Sequence, residues 1–265
     1  MQPVEVIWPA PPPAWQRAWK PDGPAQAHVW AIPLDPGPEE LDLLMAGLSS
    51  EERARAERYR VDEVRTRFIT GRGTMRAILA RYLEATPGRL EFTYGTLGKP
   101  ALSGPWAGSG LHFNLAHSRG LALLAVTWSG PVGVDVEMIR STTDAEHLVA
   151  RFFSSGESAL FQTTPPERRL EAFFNLWTRK ESWLKATGQG IGALLSQVEV
   201  SFLPGDPARL VRLPPETPAG AAWRLHSLAP ATGFVGALAM PLPEVRLACW
   251  RWEQDGGECP GGTIS

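Results

Sequence analysis

Between Leu170 and Ile191 (LEAFFNLWTRKESWLKATGQGI) apolar side chains return at helical spacing, with Phe173, Phe174, Trp177 and Leu184 on one stripe. The pattern predicts a helix with a buried face, stopped by Gly188-Gln189-Gly190. Upstream the period falls to two. In Pro131–Ile139 (PVGVDVEMI) Val132, Val134, Val136 and Met138 alternate with Gly133, Asp135 and Glu137, which predicts a half-buried strand with both carboxylates on one face. Similar apolar runs predict strands over 28–34, 90–94, 198–202 and 245–252. Two hairpins are predicted as well, one from 112–116 and 121–128, with His117 and Ser118 at its tip, the other from 222–228 and 233–240. Helical periodicity fills 53–59 and 64–83, entered through the N-cap signal LSSEE at 48–52, and recurs in short helices over 144–153 and 156–161. Residues 163–167 read as a proline-broken loop, and Gly98-Lys99-Pro100 as a turn presenting Lys99.

These elements repeat. Laying Phe68 on Trp177 sets Arg72 on Glu181 and Arg76 on Lys185, and each helix then leads through a glycine turn to an apolar hairpin. The expected fold is α+β, with two pseudo-symmetric halves, each a small antiparallel sheet packed with helices, and the active site in the cleft between them. The divisions are a Pro-rich extended arm over 1–27 whose tryptophans dock on the body, an N-terminal half over 28–130, a C-terminal half over 131–252, and a Gly-rich mobile tail over 253–265.

Composition narrows the function. The chain has 265 residues, 43% of them hydrophobic, enough for a sizeable core, and a formal net charge of −2 that argues against a general nucleic-acid or membrane-surface binder. Cys249 and Cys259 have neither metal-ligand spacing nor the density of a disulfide framework, which fits a reducing cytoplasm. No apolar run is long enough to span a bilayer, and the N-terminus lacks the pattern of a signal peptide.

The chemistry-bearing residues converge from three places. Glu181 and Lys185 lie four apart and share a helix face, the arrangement of an ordinary surface pair or of two groups aimed into a cleft. Asp135 and Glu137 repel each other on one strand face unless solvent or a cation separates them. With Glu181 they make three hard oxygen donors, a set suited to Mg²⁺, or Mn²⁺, with room left for a pyrophosphate. Arginines crowd the helices of 53–76, where they pair with neighbouring acids or offer forks to phosphate oxygens.

GVDVE followed by W-T-x-K-E-x-x-x-K resembles the 4′-phosphopantetheinyl transferases, specifically the large, pseudo-dimeric, Sfp-like type. RFITGRGTMR (67–76), LGKPAL (97–102) and HFNLAHS (112–118) stand in that family's order, so the resemblance covers about 29–203. It implies an enzyme that moves the 4′-phosphopantetheine arm of coenzyme A to a serine of an acyl or peptidyl carrier protein domain and releases adenosine 3′,5′-bisphosphate. Asp135, Glu137 and Glu181 would hold Mg²⁺, and Glu181 or Lys185 would do the proton transfer. Arg55, Arg67, Lys99, His117, Ser118 and Lys185 would contact coenzyme A, and Arg151–Phe153 would face the carrier. Two departures are Glu52, where the family has a base, and Ala116, where it often has serine. Small members assemble one site from two subunits; here both residue sets lie in one chain, which implies a monomer. The alternatives are a catalytically silent coenzyme A-binding module and another Mg²⁺-dependent nucleotide-processing enzyme.

Overall fold

A computed structural model describes residues 8–11, 25–142, 144–190, 194–217 and 222–253. In chain order the elements are β1 (Gln26–Pro33), α1 (Pro38–Ala46), α2 (Ser50–Glu57), α3 (Asp62–Tyr82), β2 (Phe92–Tyr94), β3 (Pro100–Leu102), β4 (His112–Ser118) and β5 (Leu121–Thr127). They continue with β6 (Gly133–Met138), α4 (Ala145–Phe152), α5 (Ser155–Thr163), α6 (Pro166–Thr187), β7 (Glu199–Val200), β8 (Leu210–Arg212), β9 (Arg224–Leu228), β10 (Phe234–Met240) and β11 (Arg246–Arg251).

The fold is α+β. One sheet has the order β11-β1-β5-β4, another β6-β10-β9, and β2-β3 and β7-β8 are separate two-stranded ribbons. The sequence of elements from β1 to β5 recurs from β6 to β10, and β1-β5-β4 and β6-β10-β9 share one antiparallel wiring. Helix α3 covers the outer face of the first sheet through Met75, Ile78 and Leu79 against Trp30, Ile32 and Leu124. The inner faces of the two sheets meet through Val29, Leu123, Val134, Val136 and Leu238. Helix α6 covers the second sheet, with α4 and α5 packed on it.

Several expectations change. Strand β11 runs parallel to β1, so the first sheet is mixed and, among the described residues, the last strand joins the sheet of the first. The expected loop over 163–167 shrinks, because Pro166, with its fixed φ and no N–H to satisfy, occupies the first turn of α6. Helix α1 was not predicted, although Pro38, first-turn Glu39 and Glu40 and the closing Gly47 are its signals. Of the arm, Trp8 is buried against the first sheet's inner face and the Pro9 carbonyl accepts from Arg251 N at 2.9 Å. Trp15, Trp19 and the tail from 254 lie outside the described residues.

The repeat is sharpest in its caps. Helix α2 opens on a capping box between Ser49 and Glu52, and α5 on one between Ser154 and Glu157, each pair 105 residues apart from its counterpart. That offset sets Arg76, rather than Arg72, in the place of Glu181. It also explains Glu52, which is buried, caps α2 and ion-pairs with Arg72 at 2.8 Å and Arg76 at 2.5 Å; in the second half Lys180 ion-pairs with Glu157 at 2.5 Å. Arg72 and Arg76 are therefore structural ion-pair partners.

Helix α6 has more than the single buried face predicted. Asn175, Thr178, Arg179, Lys180, Glu181 and Ser182 are all buried beside the apolar positions. Such a helix is tolerable only if its polar heads find partners. Arg179 donates to the carbonyls of Ser201 at 2.6 Å and Asp206 at 3.1 Å, and Lys180 adds the Leu195 carbonyl at 2.6 Å to its ion pair. Glu181 Oε1 has no such partner. Among the described residues, no helix is long and apolar enough to cross a membrane.

Candidate active site

The site forms where β6 lies against α6. At Gly133 a Cβ would come within 2.0 Å of the Ser182 carbonyl and 2.3 Å of Ala186 N, so the glycine at the head of GVDVE lets the strand meet the helix backbone. Asp135, two residues on, is thereby presented to the face of α6 that carries Glu181 and Lys185. Asp135 and Glu181 are both buried, and the Lys185 ammonium donates to Asp135 Oδ1 at 2.6 Å. Glu137, half buried at the end of the strand, accepts from the Ser118 hydroxyl at 2.6 Å.

The electrostatics follow from this crowding. Burial pushes the Asp135 carboxyl up to about 6 against the pull of Lys185. Burial, then the neighbouring Asp135 and Glu137, push Glu181 up to about 7. For Lys185, burial works to lower the ammonium, but Asp135, Glu181 and Glu137 outweigh it and hold the pKa above the ordinary lysine value. Lys185 is thus a held positive charge, whereas Glu181 sits where a carboxylate can take a proton near neutrality.

Asp135 Oδ2 and Glu181 Oε1 are buried and accept no hydrogen bond. Two orphaned carboxylate oxygens beside a third acid are hard donors that suit a divalent ion such as Mg²⁺. Among the described residues, no three His, Cys, Asp or Glu side chains are gathered into a metal-holding group. The contacts give the physical reason: the Lys185 ammonium sits on Asp135, and Ser118 draws Glu137 to itself.

The residues expected to touch coenzyme A divide. His117 is not at the hairpin tip but within β4, opposite Ala122; the residue is exposed while its imidazole is partly enclosed, and that burial, then Lys185, lowers its pKa against the pull of Glu137, which places it toward the acid cluster. Arg67 ion-pairs with Glu63 at 2.6 Å and Asp35 at 3.3 Å, and its guanidinium lies beside Gly120 in the same hairpin turn. Arg55, on α2, holds its guanidinium 5.0 Å from the centre of the Phe68 ring. Lys99 turns inward, donating to the carbonyls of Lys185 at 2.5 Å and Val132 at 3.0 Å, and burial followed by the Lys185 charge brings its pKa down to about 8. Ser118 is likewise engaged within the protein. Of the two phenylalanines expected near a carrier, Phe153 is buried under Lys180 and Trp177, while Phe152 is half exposed beneath Arg151.

Two residues of this region escaped the sequence reading. Asp35, just past β1, holds Arg67. Asn114, buried in the middle of β4, accepts from Val134 N at 2.8 Å. Its one signal is an amide set between Phe113 and Leu115 in the middle of the strand.

Comparison with known proteins agrees with this geometry. The model of the 4′-phosphopantetheinyl transferase superfamily matches residues 131–239, which includes β6, α6 and all but the last residue of β10. The 4′-phosphopantetheinyl transferase HetI of Nostoc sp. is 43% identical over 231 residues, 85% of this chain and 94% of the relative. A putative 4′-phosphopantetheinyl transferase of Synechocystis sp. is 36% identical over 76% of this chain and 79% of its own length. The 4′-phosphopantetheinyl transferase of Bacillus subtilis is 32% identical over 63% of this chain and 71% of its own. With a cluster of acids and one lysine built on the matched strand and helix, and relatives that span most of its length, the chain belongs to the 4′-phosphopantetheinyl transferase superfamily, as a transferase of the Sfp-like type.

Proposed function

We propose that the chain transfers the 4′-phosphopantetheine arm of coenzyme A to a serine hydroxyl of an acyl or peptidyl carrier protein domain. The serine oxygen bonds to the pantetheine-bearing phosphorus, the bond from that phosphorus to the oxygen of the adenosine-side phosphate breaks, and adenosine 3′,5′-bisphosphate leaves. Glu181 takes the serine proton directly or through a water. Lys185 stays protonated and offers its ammonium to the phosphates. Asp135, Glu137 and Glu181 would hold Mg²⁺, or Mn²⁺, which when bound supplies neutralising charge to the pyrophosphate oxygens. Arg67, beside the β4–β5 turn, supplies further charge to the coenzyme's phosphates, and His117, neutral near pH 7, a hydrogen bond. Arg55 is a further contact to the coenzyme, and Lys99 and Ser118 act from within the protein. The half-exposed Phe152 is the anchor for a carrier. A reducing cytoplasm suits Cys249, whose thiol burial pushes up to about 11 and so keeps it unreactive.

The observation that carries this reading is the pair of buried, unpartnered carboxylate oxygens on Asp135 and Glu181 beside the Lys185 ammonium. A carrier domain incubated with the protein, coenzyme A and Mg²⁺ gains the mass of one phosphopantetheine. Asp135→Ala abolishes that gain and leaves the circular dichroism of the fold unchanged. No mass gain with the wild-type chain, or near-normal transfer by a folded Asp135→Ala protein, rejects the reading.

A further inference from the structure

Strands β4 and β6 are edges of two different sheets, laid side by side without a ladder between them. Main-chain groups of β6 alternate between its two sides. Ile139 N donates to Gly233 O at 2.8 Å, toward the β10 side, so odd-numbered residues use up their main-chain groups there and even-numbered ones face β4. Those even-numbered groups are enclosed and need partners. Side chains of the first half supply them. Asn114 Oδ1 accepts from Val134 N at 2.8 Å, and Ser118 Oγ accepts from Met138 N at 3.3 Å. Lys99 Nζ reaches the Val132 carbonyl at 3.0 Å. Between Asn114 and Ser118 stands Ala116, which has no acceptor to offer.

Of these contacts the one to Asn114 is the most enclosed, since both Asn114 and Val134 are buried and Asp135 is the next residue. We propose that Asn114 is a positioning residue for the transfer reaction: it fixes the register of β6 against β4 and so sets where Asp135 and Glu137 stand relative to Glu181 and Lys185. The proposal rests on the transferase reading of the site. Asn114 touches none of the reacting groups. It acts by accepting from the buried Val134 N–H; without it the strand must shift or twist to find another acceptor, carrying Asp135 along. Catalytic groups displaced by about an ångström cost on the order of a hundredfold in rate, and groups that orient metal-holding side chains are felt at about ten- to a hundredfold.

The test uses the full chain and two variants that differ by one oxygen. Asn114→Ala removes the acceptor, and Asn114→Ser restores one, as Ser118 does for Met138 on the same strand. Three quantities are read: exchange of the Val134 amide by NMR, affinity for coenzyme A by calorimetry, and kcat for transfer to a carrier domain by mass. In Asn114→Ala, Val134 protection is lost, coenzyme A affinity stays within about twofold and kcat falls at least about tenfold; Asn114→Ser recovers protection and most of kcat. Unchanged kcat in Asn114→Ala with protection lost overturns the proposal and leaves the transferase reading standing. If Asn114→Ala does not fold, Asn114→Ser decides alone: a protected Val134 amide with wild-type-like kcat supports the role, and a protected amide with kcat down tenfold overturns it. A wild-type chain that transfers nothing in the same assay rejects the transferase reading and this proposal with it.

Discussion

Asp135 Oδ2 and Glu181 Oε1 make the acid cluster a source of instability, since a buried acceptor left unsatisfied costs about 1–3 kcal/mol, more when charged. Both carboxyls titrate higher in the folded chain than in the unfolded one, at about 6 and about 7. From the ordinary carboxylate range up to about 7 the native state therefore binds more protons than the unfolded state, and stability falls as pH rises. Metal-free protein should accordingly melt lower near pH 8 than near pH 5.5, and Mg²⁺ should raise the melting temperature most at the higher pH. Glu181→Gln should flatten this slope and raise the metal-free melting temperature near pH 8 while abolishing transfer; differential scanning calorimetry across pH checks both. Lys99 has a different part. Its ammonium satisfies a last-turn carbonyl of α6, so Lys99→Met should lower the urea-unfolding free energy by about 1.5–3 kcal/mol with little change in coenzyme A affinity. At this scale the acids were legible in the sequence, because a period-two strand and an i, i+4 pair fix which face each side chain takes. Whether Lys99 and Ser118 point at a ligand or at main-chain groups depends on a neighbouring strand that no local pattern reports.

Gly133 shows how one element places another. A methyl group there would collide with backbone atoms of α6, which cannot rotate aside as a side chain would. Gly133→Ala should cost on the order of 3 kcal/mol and, by prising β6 from α6, lower kcat more than it raises the KM for coenzyme A; equilibrium unfolding and steady-state kinetics on one preparation check this. Long elements were readable, since the stripe of Phe173, Phe174, Trp177 and Leu184 and the capping signals at Ser49 and Ser154 are local. Their limits were less so. Pro166 reads as a breaker until its place in the first turn of α6 is seen, and α1 carries its signals in too short a span to stand out. The burial of α6 on all sides was hidden because Arg179 and Lys180 look like surface residues and become core residues only through Ser201, Asp206, Glu157 and Leu195.

At the scale of the whole molecule the repeated order of elements argues for independence from other copies. The acids and Lys185 come from β6 and α6, while Ser118, Lys99, His117 and Arg67 come from elements before residue 130, all on one chain. Sedimentation should give a mass near 28.9 kDa, and specific activity should not fall on dilution; a dimer that loses activity as it dissociates would contradict this. The repeat was visible in the rhythm of the sequence, but the parallel pairing of β11 with β1 was not, because nothing local says which edge a last strand will choose. That pairing has a consequence for synthesis. When β5 has left the ribosome, β1 has one neighbour; its other edge and the ring of Trp30, later covered by Trp250 and Trp252, wait for β11. At about 5–20 residues per second that wait lasts roughly 6–25 s. The nascent first half spends it with an open strand edge, the form a chaperone would hold, and a message cut short before codon 246 yields a polypeptide that never closes.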